Sequence, residues 1–319
     1  MDAHSTGNRR DLQAHGTMVK RTGWLAMPEV GGELGIYFLV FTCTIFGRAS
    51  ARMLLPLVAL YYLAFHGTAR DASRRWLEKI HGQGHVTLRM MHSHLLRFAQ
   101  VALDRLFFIR HQTWRFDIRI HGDEHLRAIR ASGRGVIFLG AHMGSFEAMR
   151  VLADADGAIV NILVYFRNAR MINSVLQKFD PNMKMRLIDI RPGDVGFMLE
   201  LKECIERGEH VAILGDRIGL GGESVKADFM GEPAHFPSGV YFLAAMLRCP
   251  VYLLLALHSG KNRYDLYCEK FADQIELPRG ARREGAAGYS QSFAHRLEYY
   301  GRMAPENWFN FFDFWEARP

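Results

Sequence analysis

Short, almost wholly apolar runs recur through the last two thirds of the chain: GVIFLGA at 135–141, AIVNILVY at 158–165, MRLIDI at 185–190, HVAILGD at 210–216 and VYLLLAL at 251–257. A strand with one wet face alternates apolar and polar residues. A strand that is apolar at nearly every position is covered on both faces, and that requires a parallel sheet between two helical layers. Stretches with helical periodicity lie between these runs: EHLRAIRAS (124–132), SFEAMRVLA (145–153), ARMINSVLQKF (169–179), DVGFMLELKECIERG (194–208) and SGVYFLAAMLR (238–248). The alternation predicts an α/β fold, a largely parallel twisted sheet flanked by helices. RFDIRI (115–120) and YDLYCEK (264–270) alternate instead and read as half-exposed strands. Residues 278–288, rich in Gly, Ala and Arg, read as a loop before a last helix over 289–303. In an open sheet of this kind the binding crevice lies at the carboxyl ends of the strands. Two predicted strand ends carry polar residues, His142 and the pair Asp216-Arg217.

The N-terminal part has another texture. The first 20 residues are polar, and farther on come two apolar runs of 13, Leu34–Phe46 and Met53–Phe65, with Arg48 and Arg52 between them. The polar start is not a secretory signal, and each run is shorter than the ~18–20 residues that cross a bilayer. They read either as a pair of core helices or as a shallow interfacial pair in one leaflet, with the arginines near headgroups. A single span over 34–65 would bury both arginines and is disfavoured. A helical pattern continues from Thr68 to Leu106. The expected organisation is a polar tail to residue 30, an apolar and basic helical segment over 31–110 that associates with a membrane, and an α/β domain over 111–319.

Charge supports that division. Lys and Arg exceed Asp and Glu by 12 to six over residues 67–130, whereas residues 131–319 hold 22 basic against 23 acidic residues. A basic N-terminal third attracts anionic lipid or an acidic protein. The sequence has no helix-turn-helix, zinc-finger spacing or basic run interleaved with aromatics, so nucleic acid is not an expected partner. The four cysteines, Cys43, Cys204, Cys249 and Cys268, stand far apart and read as reduced, buried thiols. The histidines outside the strand ends lack metal-ligand spacing, so no metal is expected.

The stretch GAHMGSFEAMR (140–150) carries the candidate chemistry. His142 follows a buried strand; Gly144 allows a turn; Ser145 suits a helix N-cap; Glu147 then falls in the first helical turn, where a negative charge is favourable. A loop-to-helix corner can bring His142 and Glu147 together where one straight helix could not. A carboxylate on one ring nitrogen would orient the imidazole and leave the other to take a proton. The plainer alternative is a histidine that caps local backbone beside a solvated Glu147. Ser145 lacks the G-x-S-x-G elbow of a nucleophile. GLGGES (219–224) fits neither a P-loop nor a dinucleotide fingerprint and reads as a flexible loop.

Five elements in order resemble the lysophospholipid acyltransferase superfamily, in particular the branch of lipid A late acyltransferases: AHMGSFE at 141–147, VYFRN at 164–168, LGDRIG at 214–219, FMGEPAHFPSG at 229–239 and PENWFNFFDFWE at 305–316. The resemblance implies a glycerolipid acyltransferase-like fold. It implies transfer of a fatty acyl group from a thioester, on acyl carrier protein or coenzyme A, to a hydroxyl or amine of a lipid-like acceptor, without an acyl-enzyme or a cofactor. His142 held by Glu147 would be the base. Arg167, Arg217 or backbone N–H groups would stabilise the oxyanion, Asp216 would position the acceptor or Arg217, and Phe236 and Ser238 would belong to an acceptor-site loop. Acyl carrier protein and membrane lipid are the implied partners, at the cytoplasmic face of a bacterial inner membrane. An esterase using water and a catalytically silent scaffold are the rival readings. The tail reads WFNFF where the branch favours WFW, and the strand end reads GDR where the branch carries another polar residue after Asp. These departures also suit a subgroup that handles the polyene acyl groups of aryl polyene pigments, or amino lipids.

Overall fold

The computed structural model describes residues 32–148, 159–164, 186–190, 193–219 and 222–316. Three helices come first: α1 (Gly32–Phe65), α2 (Gly67–His81) and α3 (Leu88–Ile109). Then follow β1 (Asp117–His121), α4 (Asp123–Ser132), β2 (Ile137–Gly140), β3 (Val160–Val164), β4 (Arg186–Asp189), α5 (Val195–Glu206) and β5 (His210–Leu214). The chain continues with β6 (Ser224–Phe229), β7 (Glu232–Pro237), α6 (Gly239–Leu247), β8 (Val251–His258), β9 (Arg263–Ala272) and α7 (Arg282–Met303).

A mixed, mostly parallel sheet has the order β1-β9-β8-β2-β5-β3-β4. Strands β8, β2, β5, β3 and β4 run parallel, β9 is antiparallel to β8, and β1 is parallel to β9. The apolar runs are explained by period-two alternation into two cores. Ile137, Leu139, Val211, Ile213, Leu253 and Leu255 face one core, which α5, α6 and α7 cover. Val136, Phe138, Ala212, Leu254 and Ala256 face the other, which α1, α3 and α4 cover. Strand β9 alternates as its sequence does, with Tyr264, Leu266 and Cys268 buried.

The N-terminal helices are packed against this body. Leu63, Trp76, Leu77, Met91 and Leu95 lie in the same core as the sheet residues. Helix α1 breaks at Gly47. Beyond the break Arg48 and Arg52 turn inward rather than toward headgroups: Arg48 lies 2.7 Å and Arg52 3.8 Å from the carboxylate of Asp104, which is fully buried and also accepts from the Tyr264 hydroxyl at 3.1 Å. A buried carboxylate on α3 demands such partners, and the two arginines are the nearby cations that supply them. Along the second half of α1, Ala51, Leu55, Ala59 and Leu63 are buried while Met53, Leu57, Leu60 and Phe65 are exposed. Among the described residues no single helix is long and apolar enough to cross a membrane; Gly47–Phe65 and Gly67–His81 meet that test only as a pair bent by 97°.

Two expectations about loops change. The segment expected to be a flexible loop runs, from Ser224, into a hairpin, β6 with β7, in which Phe229 pairs with Glu232. Its two-residue turn, Met230-Gly231, has φ values of 53° and 79°, as a tight turn matched to strand twist requires. The last helix begins at Arg282 rather than 289, because Ala286 already packs into the core.

Candidate active site

Strands β2 and β5 are parallel neighbours in which Gly140 pairs with Leu214. Continued two residues past the strand ends, that register sets His142 opposite Asp216. The imidazole Nδ1 of His142 donates to Asp216 Oδ1 at 2.9 Å, and the His142 backbone N–H donates to Asp216 Oδ2 at 2.9 Å. A carboxylate can only accept, so Nδ1 carries the proton and Nε2 keeps its lone pair. Nε2 has no hydrogen-bond partner among the described residues, and the His142 side chain is 28% exposed whereas that of Asp216 is fully buried. Burial and the Arg217 guanidinium push the imidazole below its ordinary value, against the opposing charge and hydrogen bond of Asp216. Burial acts to raise the Asp216 carboxyl, but His142, Arg217 and Asn310 outweigh it and bring it down to about 2. The site at neutral pH is thus a neutral imidazole oriented by a carboxylate.

The loop that carries His142 is clamped on both sides. Gly144 adopts φ 71°, and a Cβ there would lie 2.0 Å from the Ala256 carbonyl of β8. Ser145 N–H donates to that carbonyl at 2.8 Å. The chain after α7 covers the other side: Gly144 N–H donates to Asn307 O, and Phe309 N–H donates to His142 O. Ser145 Oγ accepts from Ala148 N–H at 3.1 Å in a turn over 146–148, and the rest of the helix expected there lies outside the described residues.

Glu147 does not supply the carboxylate bonded to His142. It is buried in an ion pair with Arg105 of α3. The expected His142–Glu147 pair is therefore replaced by His142–Asp216, because strand register holds Asp216 at the ring while the turn over 146–148 carries Glu147 toward α3. Arg217 is buried, and burial lowers its guanidinium to about 10. Its Nε donates to Asn310 Oδ1 at 2.7 Å and its Nη2 to Phe309 O at 3.1 Å. Asn310 Nδ2 in turn donates to Asp216 Oδ2 at 2.7 Å. Phe236 is enclosed by the rings of Phe229, Phe293 and Phe314. Ser238 is buried, and its Oγ has no hydrogen-bond partner among the described residues. No hydrogen bond or ring contact among these residues links either to His142. Arg167 lies outside the described residues.

Sequence reasoning missed Arg105, Asn307 and Asn310. A signal was present for the last two: asparagines three apart in an otherwise aromatic segment will be buried with it and must find partners there. Asn307 finds His258, accepting from its N–H at 2.8 Å and donating to its carbonyl at 3.2 Å. The two departures from the expected motif, Arg217 and Asn310, prove to be hydrogen-bonded to each other.

The fold is thus an open, mostly parallel α/β sheet with a histidine–carboxylate pair at adjoining strand ends. The chain belongs to the bacterial lipid A biosynthesis acyltransferase family, whose sequence profile matches residues 22–316. It is accordingly an acyltransferase of lipid biosynthesis that acts on lipid-like acceptors. No curated protein matches the chain.

Proposed function

We propose that the protein transfers an acyl group from an acyl thioester, carried by acyl carrier protein, to a hydroxyl or amine of a lipid-like acceptor, with His142 as general base. The observation that carries this reading is the 2.9 Å bond from His142 Nδ1 to Asp216, which leaves Nε2 free to accept a proton. The acceptor loses its proton to Nε2 as its oxygen or nitrogen attacks the thioester carbonyl. The tetrahedral intermediate collapses with loss of the C–S bond, and the thiolate takes the proton from the imidazolium. No acyl-enzyme is needed. Ser145, the nearest hydroxyl in sequence, is buried and its Oγ is occupied by the Ala148 N–H. Backbone N–H groups of the turn that begins at Phe146 would face the developing oxyanion.

The exposed apolar side chains Met53, Leu57, Leu60 and Phe65 on α1, with the nearby arginines Arg70 and Arg74 on α2, support an interfacial seat on an anionic membrane, at its cytoplasmic face. The basic surface around them suits an acidic carrier protein as donor.

The reading is tested by mass spectrometry of lipid and pigment extracts from cells with the gene, without it, and with His142→Ala. The acylated product should disappear without the gene and fall by about 10²–10⁴-fold in the variant. Equal product from His142→Ala and wild type sinks the proposal. Accumulation of free fatty acid in place of an acylated product would indicate an esterase.

A further inference from the structure

Asp216 accepts three hydrogen bonds, two from His142 and one from the side chain of Asn310, 94 residues away in the segment after α7. Asn310 is 3% exposed, so its amide has no water to fall back on. An amide can present either its oxygen or its nitrogen to a carboxylate, and only the nitrogen attracts it. Arg217 decides the choice: its Nε–H occupies Asn310 Oδ1 and so turns Nδ2 toward Asp216. The donations thus converge on the carboxylate: Arg217 to Asn310 and Asn310 to Asp216 Oδ2 from one side, and His142 to the remaining oxygen Oδ1 from the other. Because Oδ2 is held by Asn310 and by the His142 backbone, Oδ1 cannot rotate away from the ring.

We propose that Asn310 is a positioning residue of the catalytic centre, its amide locking the Asp216 carboxylate in the rotamer that orients His142. Arg217 acts through it by fixing the flip of the amide. The proposal rests on the reading of His142 as the base. It makes the C-terminal segment part of the active site rather than a cover for the core. Among the described residues, the charged groups that act on His142 and Asp216 are these two themselves and Arg217, which follows Asp216 after β5.

The discriminating variant is Asn310→Asp. It has the same shape and keeps an oxygen for Arg217, and Asn310→Ala, which removes the donor without adding a buried charge, is its control. A positioning role predicts failure, because Asn310→Asp replaces the donor to Asp216 with a second acceptor. The first readout is the His142 signal in full-length protein carrying ¹³C- and ¹⁵N-labelled histidine, assigned by its absence from His142→Gln. In wild type, Nδ1–H should be the single neutral tautomer. In Asn310→Asp and Asn310→Ala the tautomers should mix and the titration midpoint should move from its wild-type position, because the Asp216 carboxylate is no longer held against the ring. The second readout is the acylated product in cells, which should fall about tenfold or more in both variants after correction for the amount of folded protein. An unchanged tautomer and titration in both variants overturns the proposal. That outcome is separable from failure of the base assignment, which would show as an active His142→Ala. Should Asn310→Asp fail to fold, Asn310→Ala, which adds no charge, carries the same spectroscopic test.

Discussion

Two carboxylates compete for the role of orienting His142, and their surroundings separate them. Asp216 is bonded to the ring and held as an anion; Glu147 is tied to Arg105. Asp216→Asn should therefore cost about a hundredfold or more in product formation, because the amide can present a donor to Nδ1 and stabilise the wrong tautomer. Glu147→Gln should act chiefly on stability. It leaves Arg105 without its anion, and because that side chain is one-third exposed the loss is screened, on the order of 1 kcal/mol. Melting curves and product levels for both variants check the distinction. If Glu147→Gln costs as much product as Asp216→Asn at an unchanged melting temperature, Glu147 is the orienting group. His142 itself was legible as a polar residue at the end of a buried strand. Its partner was not: on the chain Glu147 is five positions away and Asp216 is 74, and only the neighbouring of β2 and β5 makes the distant residue the near one.

At the scale of elements, the sheet was readable because burial on both faces leaves short, continuous apolar runs, and these alternate along the chain with stretches of helical period. The hairpin of β6 and β7 was hidden, although SVKADF does alternate, with Val225, Ala227 and Phe229 buried and Lys226 and Asp228 exposed. Its turn uses Met at a positive φ, where glycine or asparagine would have announced it. Helix α1 shows the opposite difficulty. It is apolar all round, and periodicity cannot tell which side faces protein. Tertiary packing gives Leu55, Ala59 and Leu63 to the core and leaves Met53, Leu57 and Leu60 outside. If that outer stripe seats the protein on a bilayer, Leu57→Lys with Leu60→Lys should leave the fold intact and markedly reduce co-sedimentation with vesicles of phosphatidylethanolamine and phosphatidylglycerol. Unchanged pelleting of the double variant would show that another surface holds the membrane.

At the scale of the whole molecule, the C-terminal segment is stitched to the N-terminal helices by buried histidines. His94 of α3 accepts from Ser73 of α2 and donates to the Trp308 carbonyl; His258 at the end of β8 accepts from Arg97. Burial pushes His94 down to about 4 and His258 to about 3. Both are lowered from an unfolded value near 6.5, so as pH falls below 6.5 the unfolded chain takes up protons that the folded chain refuses. The stability from these two groups is complete above about pH 6.5 and is lost progressively toward pH 4 and below. A fall in melting temperature of roughly 5 °C or more between pH 7 and 4.5 is expected, since a change of 1 kcal/mol moves a chain of this size by a few degrees. In that window the carboxylate of Asp216, at about 2, is silent. A melting temperature flat over that range would refute the assignment of neutral, buried histidines.

What the sequence determined by itself is the layered α/β architecture and the polar residues at its strand ends, because burial on two faces and the residue that follows a strand are local properties of the chain. What only the tertiary structure decided is which groups meet there. Strand order sets Asp216 beside His142, and the return of the last segment across the strand ends brings Asn310 to Asp216 and Arg217. Neither is encoded at any fixed spacing, since hydrogen bonds reach only about 3 Å and the chain must fold before residues 142, 216 and 310 come within that distance.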